Sequence, residues 1–283
     1  MKNWHPIKKL AKLGLNYVQS TEVMLGRALN VIDFPVPPNS SMRKTSSRNI
    51  RHYFLSGVRS YLPIAVAALR EGVKLRETIN VLDFGCGVGR QLLHFTRDYP
   101  RPNYYACDID DTSISFIVKN YPAVQARVNR FSPPLDYATG FFDLAYSVSI
   151  FSHLNLEDQA AWLSELARVV KYGGHCMLTT EGYTALGDLA AVYGKDTRDL
   201  AKDLTDQGYL YKEYEGWQED VRRQNAMRLA STLVGVERSY GNTVLAPNYI
   251  RRVWGNGPFE VQAIIEGVID NRQDLIVLRR REN

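Results

Sequence analysis

The 283-residue chain has only three cysteines, Cys86, Cys107 and Cys176, widely spaced and embedded in apolar runs. That excludes a disulfide-stapled scaffold and fits a reduced, cytoplasmic protein. No C-x-x-C pair and no His/Cys cluster is present, so no metal site is expected. Long apolar stretches are lacking as well. None approaches the roughly 20 residues of a membrane-spanning helix, and the N-terminal lysines are not followed by the apolar core of a secretory signal. Internal repeats and low-complexity tracts are absent, which excludes a solenoid. What remains is an ordinary globular composition, 45% hydrophobic and 23% charged. It suffices for one large α/β domain with a decorated edge.

The net charge of +5 is unevenly distributed. Residues 1–60 hold ten Lys/Arg against Glu22 and Asp33, while the rest of the chain holds 25 basic against 28 acidic residues. A local basic arm favours an anionic neighbour: a phosphorylated substrate, an acidic partner or a lipid surface. A solvated helix with no specific partner is the plainer alternative. Trp4, Ile7, Ala11 and Val18 recur at helical spacing in residues 4–18, with Lys8, Lys9 and Lys12 elsewhere on the wheel. Peripheral membrane contact through this basic helix and packing on the domain both stay open. Residues 34–41, with Pro35, Pro37 and Pro38, read as an extended linker. Residues 1–46 are thus set apart from a domain spanning 47–283.

After a helical stretch from about 47 to 75, short apolar strands alternate with helices. Strands are expected at 80–84, 103–107, 124–128, 142–148 and 175–180, and helices at 88–99, 112–120 and 156–171. Gly173 and Gly174 read as the C-cap of the last of these helices. Such alternation means a mostly parallel sheet with helices on both faces, and ligands at the carboxyl ends of its strands. Residues 182–245 break the rhythm with seven tyrosines or tryptophans among many charges, and a helical cap insertion is expected there. A short helix at 247–254 and two closing strands at 259–265 and 274–279, joined by a turn at Asp270-Asn271, complete the chain.

The sharpest signal is V-L-D-F-G-C-G-V-G-R at 81–90, a strand, a glycine loop and a helix start. Gly85, Gly87 and Gly89 let the backbone turn tightly and approach a ligand, and the helix start presents free N–H groups. A dinucleotide loop reads G-x-G-x-x-G. Here the third glycine comes one residue early and Arg90 takes its place. Asp83 at the strand end would repel a pyrophosphate but favour a ligand carrying an ammonium group, as S-adenosylmethionine (SAM) does. Cys86 is a small filler of the loop. Asp108 ends the second strand, 23 residues past Gly85, placed to accept ribose hydroxyls. Ile109 can pack on an adenine face, and Asn129, Arg130 and Phe131 end the third strand where the adenine edge would be read.

These motifs resemble the class I SAM-dependent methyltransferases, in their small-molecule branch. The resemblance rests on residues 81–90, C-D-I-D at 107–110, S-P-P-L at 132–135 ahead of F-F-D-L-A-Y-S-V-S-I-F-S-H-L at 141–154, and E-L-A-R-V-V-K-Y-G-G at 165–174. It runs from about 47 to 280. It implies a Rossmann-like three-layer sandwich whose seven-stranded sheet has an antiparallel last strand, and SAM as cofactor. Tyr172 departs from the proline usual before the glycine pair. The tetrad 132–135 precedes the fourth strand and ends in leucine, so it reads as a turn rather than as an amino-methylation motif.

A sulfonium already activates its methyl group, so the protein must chiefly align a nucleophile and exclude water. A hydroxyl acceptor also needs a base. His153, just after the fourth strand, titrates near neutrality and is the candidate base. A loop-ordering histidine is the structural alternative. Glu181 and Tyr183 follow the fifth strand. Ser149 and Ile150, with Phe151, line the methionine part, and the aromatic insertion covers the acceptor. The expectation is an enzyme that methylates a hydroxyl of a small molecule or glycan. C- or N-methylation of a phosphorylated or anionic acceptor is the runner-up, and a non-catalytic SAM-binding scaffold is the reading of another class. No nucleic-acid module is appended, so nucleic acid is not the expected partner. The acceptor's identity and the oligomeric state are not written in the sequence.

Overall fold

The structure is a computed structural model. It describes residues 34–44, 49–214 and 240–282. The basic helix expected at 4–18 lies outside the described residues.

A short helix α1 (Asn39–Lys44) leads to α2 (Ile50–Arg70), whose N-cap Asn49 accepts a hydrogen bond from the His52 amide. The supposed linker therefore ends in helix. It also packs on the domain, with Met42 buried among Ile50, Tyr53, Val88 and Leu93. Then follow β1 (Asn80–Phe84), α3 (Leu92–Asp98), β2 (Asn103–Asp108), α4 (Asp111–Asn120), β3 (Val124–Val128), β4 (Phe142–Ser147), α5 (Leu156–Val169) and β5 (Val170–Glu181). A 3-10 turn at Tyr183–Ala185 precedes α6 (Leu186–Tyr193) and α7 (Thr197–Gln207). The strands β6 (Tyr209–Glu213) and β7 (Gly241–Leu245), the helix α8 (Pro247–Val253), and the strands β8 (Phe259–Ile269) and β9 (Gln273–Arg280) complete the order.

Strands β1 to β5 are parallel in the order β3-β2-β1-β4-β5. β9 runs antiparallel to β5 from His175↔Arg279 to Glu181↔Gln273, and β8 runs antiparallel to β9. These are the seven strands expected. Side chains alternate across the sheet. Leu82, Phe84, Phe142, Ala145 and Cys176 pack on the α5 side with Trp162 and Leu166. Val81, Leu144, Tyr146 and Met177 pack on the other side with Ile64, Leu92 and Phe95. Asp270 and Asn271 both take left-handed φ of 53°, the conformation a tight β8–β9 hairpin requires. The three cysteines are free and buried.

Two expectations need correction. The stretch 182–245 is not all helix: β6 and β7 pair antiparallel and extend the sheet, with β7 joining the end of β5 at Glu181↔Val244. Alternating Tyr209, Tyr211 and Glu213 fit a strand because β6 is half-covered by α6 and α7. The glycine pair does not cap α5 either. The helix stops at Val169 and Val170 is already extended. Gly173, at φ 73°, lies within β5, where the pairing with β4 shifts register between Phe142 and Leu144.

Candidate active site

The glycine loop leaves the carboxyl end of β1 with Gly85, Gly87 and Gly89 at φ of 77°, 50° and 78°. A Cβ at Gly85 would strike the Ile150 side chain and one at Gly89 would strike Ile117, so the loop admits no side chain at either place. The Gly85 and Cys86 amides donate to the Cys107 carbonyl, tying the loop to the end of β2. α2 closes over it. Tyr53 donates to the Val88 carbonyl at 3.0 Å, and Gly57 lets the helix backbone come close to Arg90.

Asp108 accepts the Gly87 amide at 2.7 Å and the Asp110 amide at 2.8 Å. Its carboxylate is thereby fixed at the mouth of the loop. Asp83 is buried beneath, where Tyr146 donates to it at 3.0 Å. Burial pushes the Asp83 carboxyl up to about 8, helped by the Asp108 charge and opposed by the Tyr146 hydrogen bond and by Arg90. Burial lowers the Arg90 guanidinium, which reaches Ser56 Oγ at 3.3 Å. Asn129 follows β3, its amide donating to the Asp108 carbonyl and its Oδ1 buried without a hydrogen-bond partner. Ile109 is half-buried beside it.

Past β4 the chain turns sharply. Ser149 holds φ 62°, unusual for a residue with a side chain. Its amide donates to Thr179 Oγ at 2.8 Å, and Thr179 in turn donates to Gln273 Oε1 at 2.8 Å. Gln273 Nε2 donates to Ser149 Oγ at 2.9 Å. This three-residue ring, drawn from the turn after β4 and from β5 and β9, offsets the backbone strain and sets Ile150 over Gly85.

His153 Nδ1 lies 3.0 Å from the Gly241 carbonyl and 3.0 Å from the Tyr214 hydroxyl. Tyr214 donates to Asn242 Oδ1 at 3.0 Å. A carbonyl only accepts, so Nδ1 carries the proton and Nε2 the lone pair. Tyr240 stacks on the imidazole, with ring centroids 5.0 Å apart. Burial lowers the His153 pKa, and the charge of Arg272 adds to this. Glu181 is also buried. Its Oε1 accepts from Arg272 Nε at 2.7 Å, and its Oε2 has no hydrogen-bond partner. Burial raises its pKa, and Arg272 holds it down in part. Charges link the ensemble: Glu181 acts on Tyr193 and Tyr214, and Asp108 acts on Tyr240. One group of rings thus lies near the Asp108 mouth, together with an ion pair whose carboxylate is buried and whose arginine is 41% exposed.

Some expected residues stand apart. Tyr183 turns its hydroxyl to Thr205 on α7, 3.0 Å away and exposed. Phe131 is buried in the core on the α5 side, and its carbonyl accepts from Trp162 Nε1. Arg130 is exposed, and Cys86 is buried with its thiol against the Gly87 carbonyl. Tyr146, Thr179, Arg272 and Gln273 escaped sequence reading, being ordinary strand or turn residues in isolation. The single signal was the polar run Arg272-Gln273-Asp274 at the start of an otherwise apolar closing strand.

The loop that no side chain can enter, the carboxylate at its mouth, the buried acid beneath and the orphaned Asn129 oxygen suit an adenosyl ligand with an ammonium group. Residues 81–174 match the family model of a methyltransferase domain. An uncharacterized protein of Rickettsia prowazekii (strain Madrid E) is 29% identical over 102 residues, 35% of this chain and 41% of that one. The match thus spans about two fifths of that relative's length. Among solved structures, a SAM-dependent methyltransferase from Aquifex aeolicus superposes with a TM-score of 0.51 at 14% identity, covering 87% of this chain and all of that one (100%). The Burkholderia thailandensis 1,6-didemethyltoxoflavin-N1-methyltransferase, solved with 1,6-didemethyltoxoflavin and S-adenosylhomocysteine, superposes with a TM-score of 0.52 at 11% identity, covering 89% and 94%. At such identities these likenesses speak for the fold.

Proposed function

From the premise that this chain is a class I, Rossmann-like SAM-dependent methyltransferase, we propose that it methylates a hydroxyl group of a small molecule or glycan, with His153 as the base. The observation that carries the reading is the fixed His153 tautomer. Nδ1–H is held on the Gly241 carbonyl, Nε2 keeps its lone pair, and burial keeps the ring neutral.

The cofactor supplies, when bound, a methyl group already activated on a sulfonium. The chain does the rest. Asp108 would accept the ribose hydroxyls, Asn129 Oδ1 would accept from the adenine amine, and Ile109 would pack on the base. Gly85, Gly87 and Gly89 would let the backbone come close, and the Asp83 acid buried beneath the amino-acid end would give up its proton when an ammonium group lies beside it. Ile150 and the Ser149 backbone wall the reacting end. His153 Nε2 would take the hydroxyl proton as the acceptor oxygen bonds the methyl carbon and that carbon's bond to the sulfonium sulfur breaks, leaving a neutral thioether and a protonated imidazole. Glu181 Oε2 accepts a second hydrogen bond from the acceptor, and Tyr193, Tyr214 and Tyr240 exclude water. The described parts of the insertion, residues 182–214 and 240–245, serve as the acceptor-side cover. Because Arg272 is already neutralised by Glu181, the pocket favours a neutral acceptor over the anionic one of the runner-up reading.

Asp108→Ala should weaken S-adenosylhomocysteine binding about 10- to 100-fold by calorimetry, since hydrogen bonds to a charged group are lost. With methyl-labelled SAM and a panel of hydroxylated acceptors, His153→Gln should cut transfer about 10²- to 10⁴-fold with cofactor affinity intact. Undiminished transfer by that variant would remove the base. Failure of the wild type to bind S-adenosylhomocysteine would remove the whole reading.

A further inference from the structure

We propose that the outward face of α2 docks on an anionic lipid surface. The inward face of this helix is spent on the domain, with Tyr53, Ser56, Ser60, Ile64, Ala67 and Ala68 buried. The outward face should then be polar. Instead Leu55, Leu62, Val66 and Leu69 are 50%, 53%, 47% and 44% exposed. With 3.6 residues per turn they fall within an arc of roughly 60°. Single exposed apolar residues are commonplace, but four in one line form a stripe.

The flanks are basic. Arg51, Arg59 and Arg70 lie on the same side, Lys74 and Arg76 follow, and all five are exposed. α2 holds no acidic residue. Its acidic surroundings are Glu71 and Glu77 just beyond, the latter paired with Lys74, and Asp270 of the β8–β9 turn, paired with Arg59. An apolar stripe with arginine margins is the pattern of a helix lying in a lipid interface, its apolar side chains in the head-group boundary and its cations on phosphates. None of the described helices is long and apolar enough to cross a membrane, so the contact is at the surface.

Charge decides between occupants. The described chain begins at Phe34, whose ring stacks on Phe54 at 5.4 Å, next to Leu55. The 33 residues before it are thus a candidate cover for the stripe. They bring Lys2, Lys8, Lys9, Lys12 and Arg27 against Glu22 and Asp33. Docked on α2 they would add cations to cations. A second copy of the chain would likewise set Arg51, Arg59 and Arg70 near their own counterparts. An anionic bilayer accepts the stripe and its arginines together.

The test uses the full chain in flotation assays with vesicles of phosphatidylcholine, with and without phosphatidylglycerol. The wild type should float with the anionic vesicles and be released by salt. The double variant Leu62→Glu, Val66→Glu should bind at least about tenfold more weakly, with unchanged thermal unfolding and S-adenosylhomocysteine affinity. Three results would overturn the proposal: no flotation of the wild type, equal flotation with neutral vesicles, or full retention by the variant. Light scattering run beside it identifies a dimer, released by the same substitutions, as the occupant if the vesicles stay bare.

Discussion

Burial moves the two central ionisable residues in opposite directions, because it penalises whichever form is charged. It lowers His153 and raises Asp83. For His153, the base of the proposed reaction, the consequence is a ring that is neutral at neutral pH. The acid limb of kcat/KM should fall below the ordinary histidine value of 6.5, and His153→Gln should abolish that limb together with most of the rate. A limb at or above 6.5 that survives the substitution would assign the base elsewhere. His153, Asp83, Asp108 and Glu181 all stood out in the sequence as polar groups at the ends of apolar strands. Which nitrogen of His153 carries the proton did not, since Gly241 is 88 residues away.

Among the elements, the turn after β4 is the most dependent on its neighbours. Ser149 keeps its left-handed backbone because Thr179 and Gln273 hold it from β5 and β9. Thr179→Val keeps the shape and removes the hydroxyl, leaving a buried amide without its acceptor. It should cost about 1–3 kcal/mol of native-loop stability and weaken S-adenosylhomocysteine about tenfold, whereas Thr179→Ser should bind as the wild type does. Equal affinity of all three would mean that the turn stands without the ring. Helices and strands from β1 to α5 were legible because local periodicity decides them. β1 and β3 match their expected bounds residue for residue. The glycine pair and the strands β6 and β7 were not legible, because a register shift and an edge pairing are properties of two strands together.

For the whole molecule the buried carboxyls set the pH response. Asp83 at about 8 and Asp274 at about 6 both bind protons more tightly folded than unfolded, where the ordinary value is 3.8. Their stabilisation is therefore complete below about pH 4 and is lost as the pH rises through about 6 and then about 8. The lowered histidines His94, His153 and His175 act the other way, favouring the fold above 6.5 and weakening it below. Tm should thus fall between about pH 7 and 9. Asp83→Asn, which still accepts from Tyr146, should flatten that decline. A wild type whose Tm holds or rises over this interval would mean that Asp83 ionises at its ordinary value.

The sequence by itself determined the alternation of strands and helices, the glycine loop and the acids at the ends of β1 and β2. Each depends on spacing within a few residues, and the chain's periodicity records that directly. Only the tertiary structure decided that β9 comes to lie against β5, bringing Arg272 to Glu181 and Gln273 to Ser149. It alone carried Gly241 and Tyr214 to His153 and, among the described residues, left the apolar stripe of α2 uncovered. These are encounters between residues about 60 to 120 apart along the chain. Such pairings gain their energy only after the intervening loops have closed, so no local pattern can encode them.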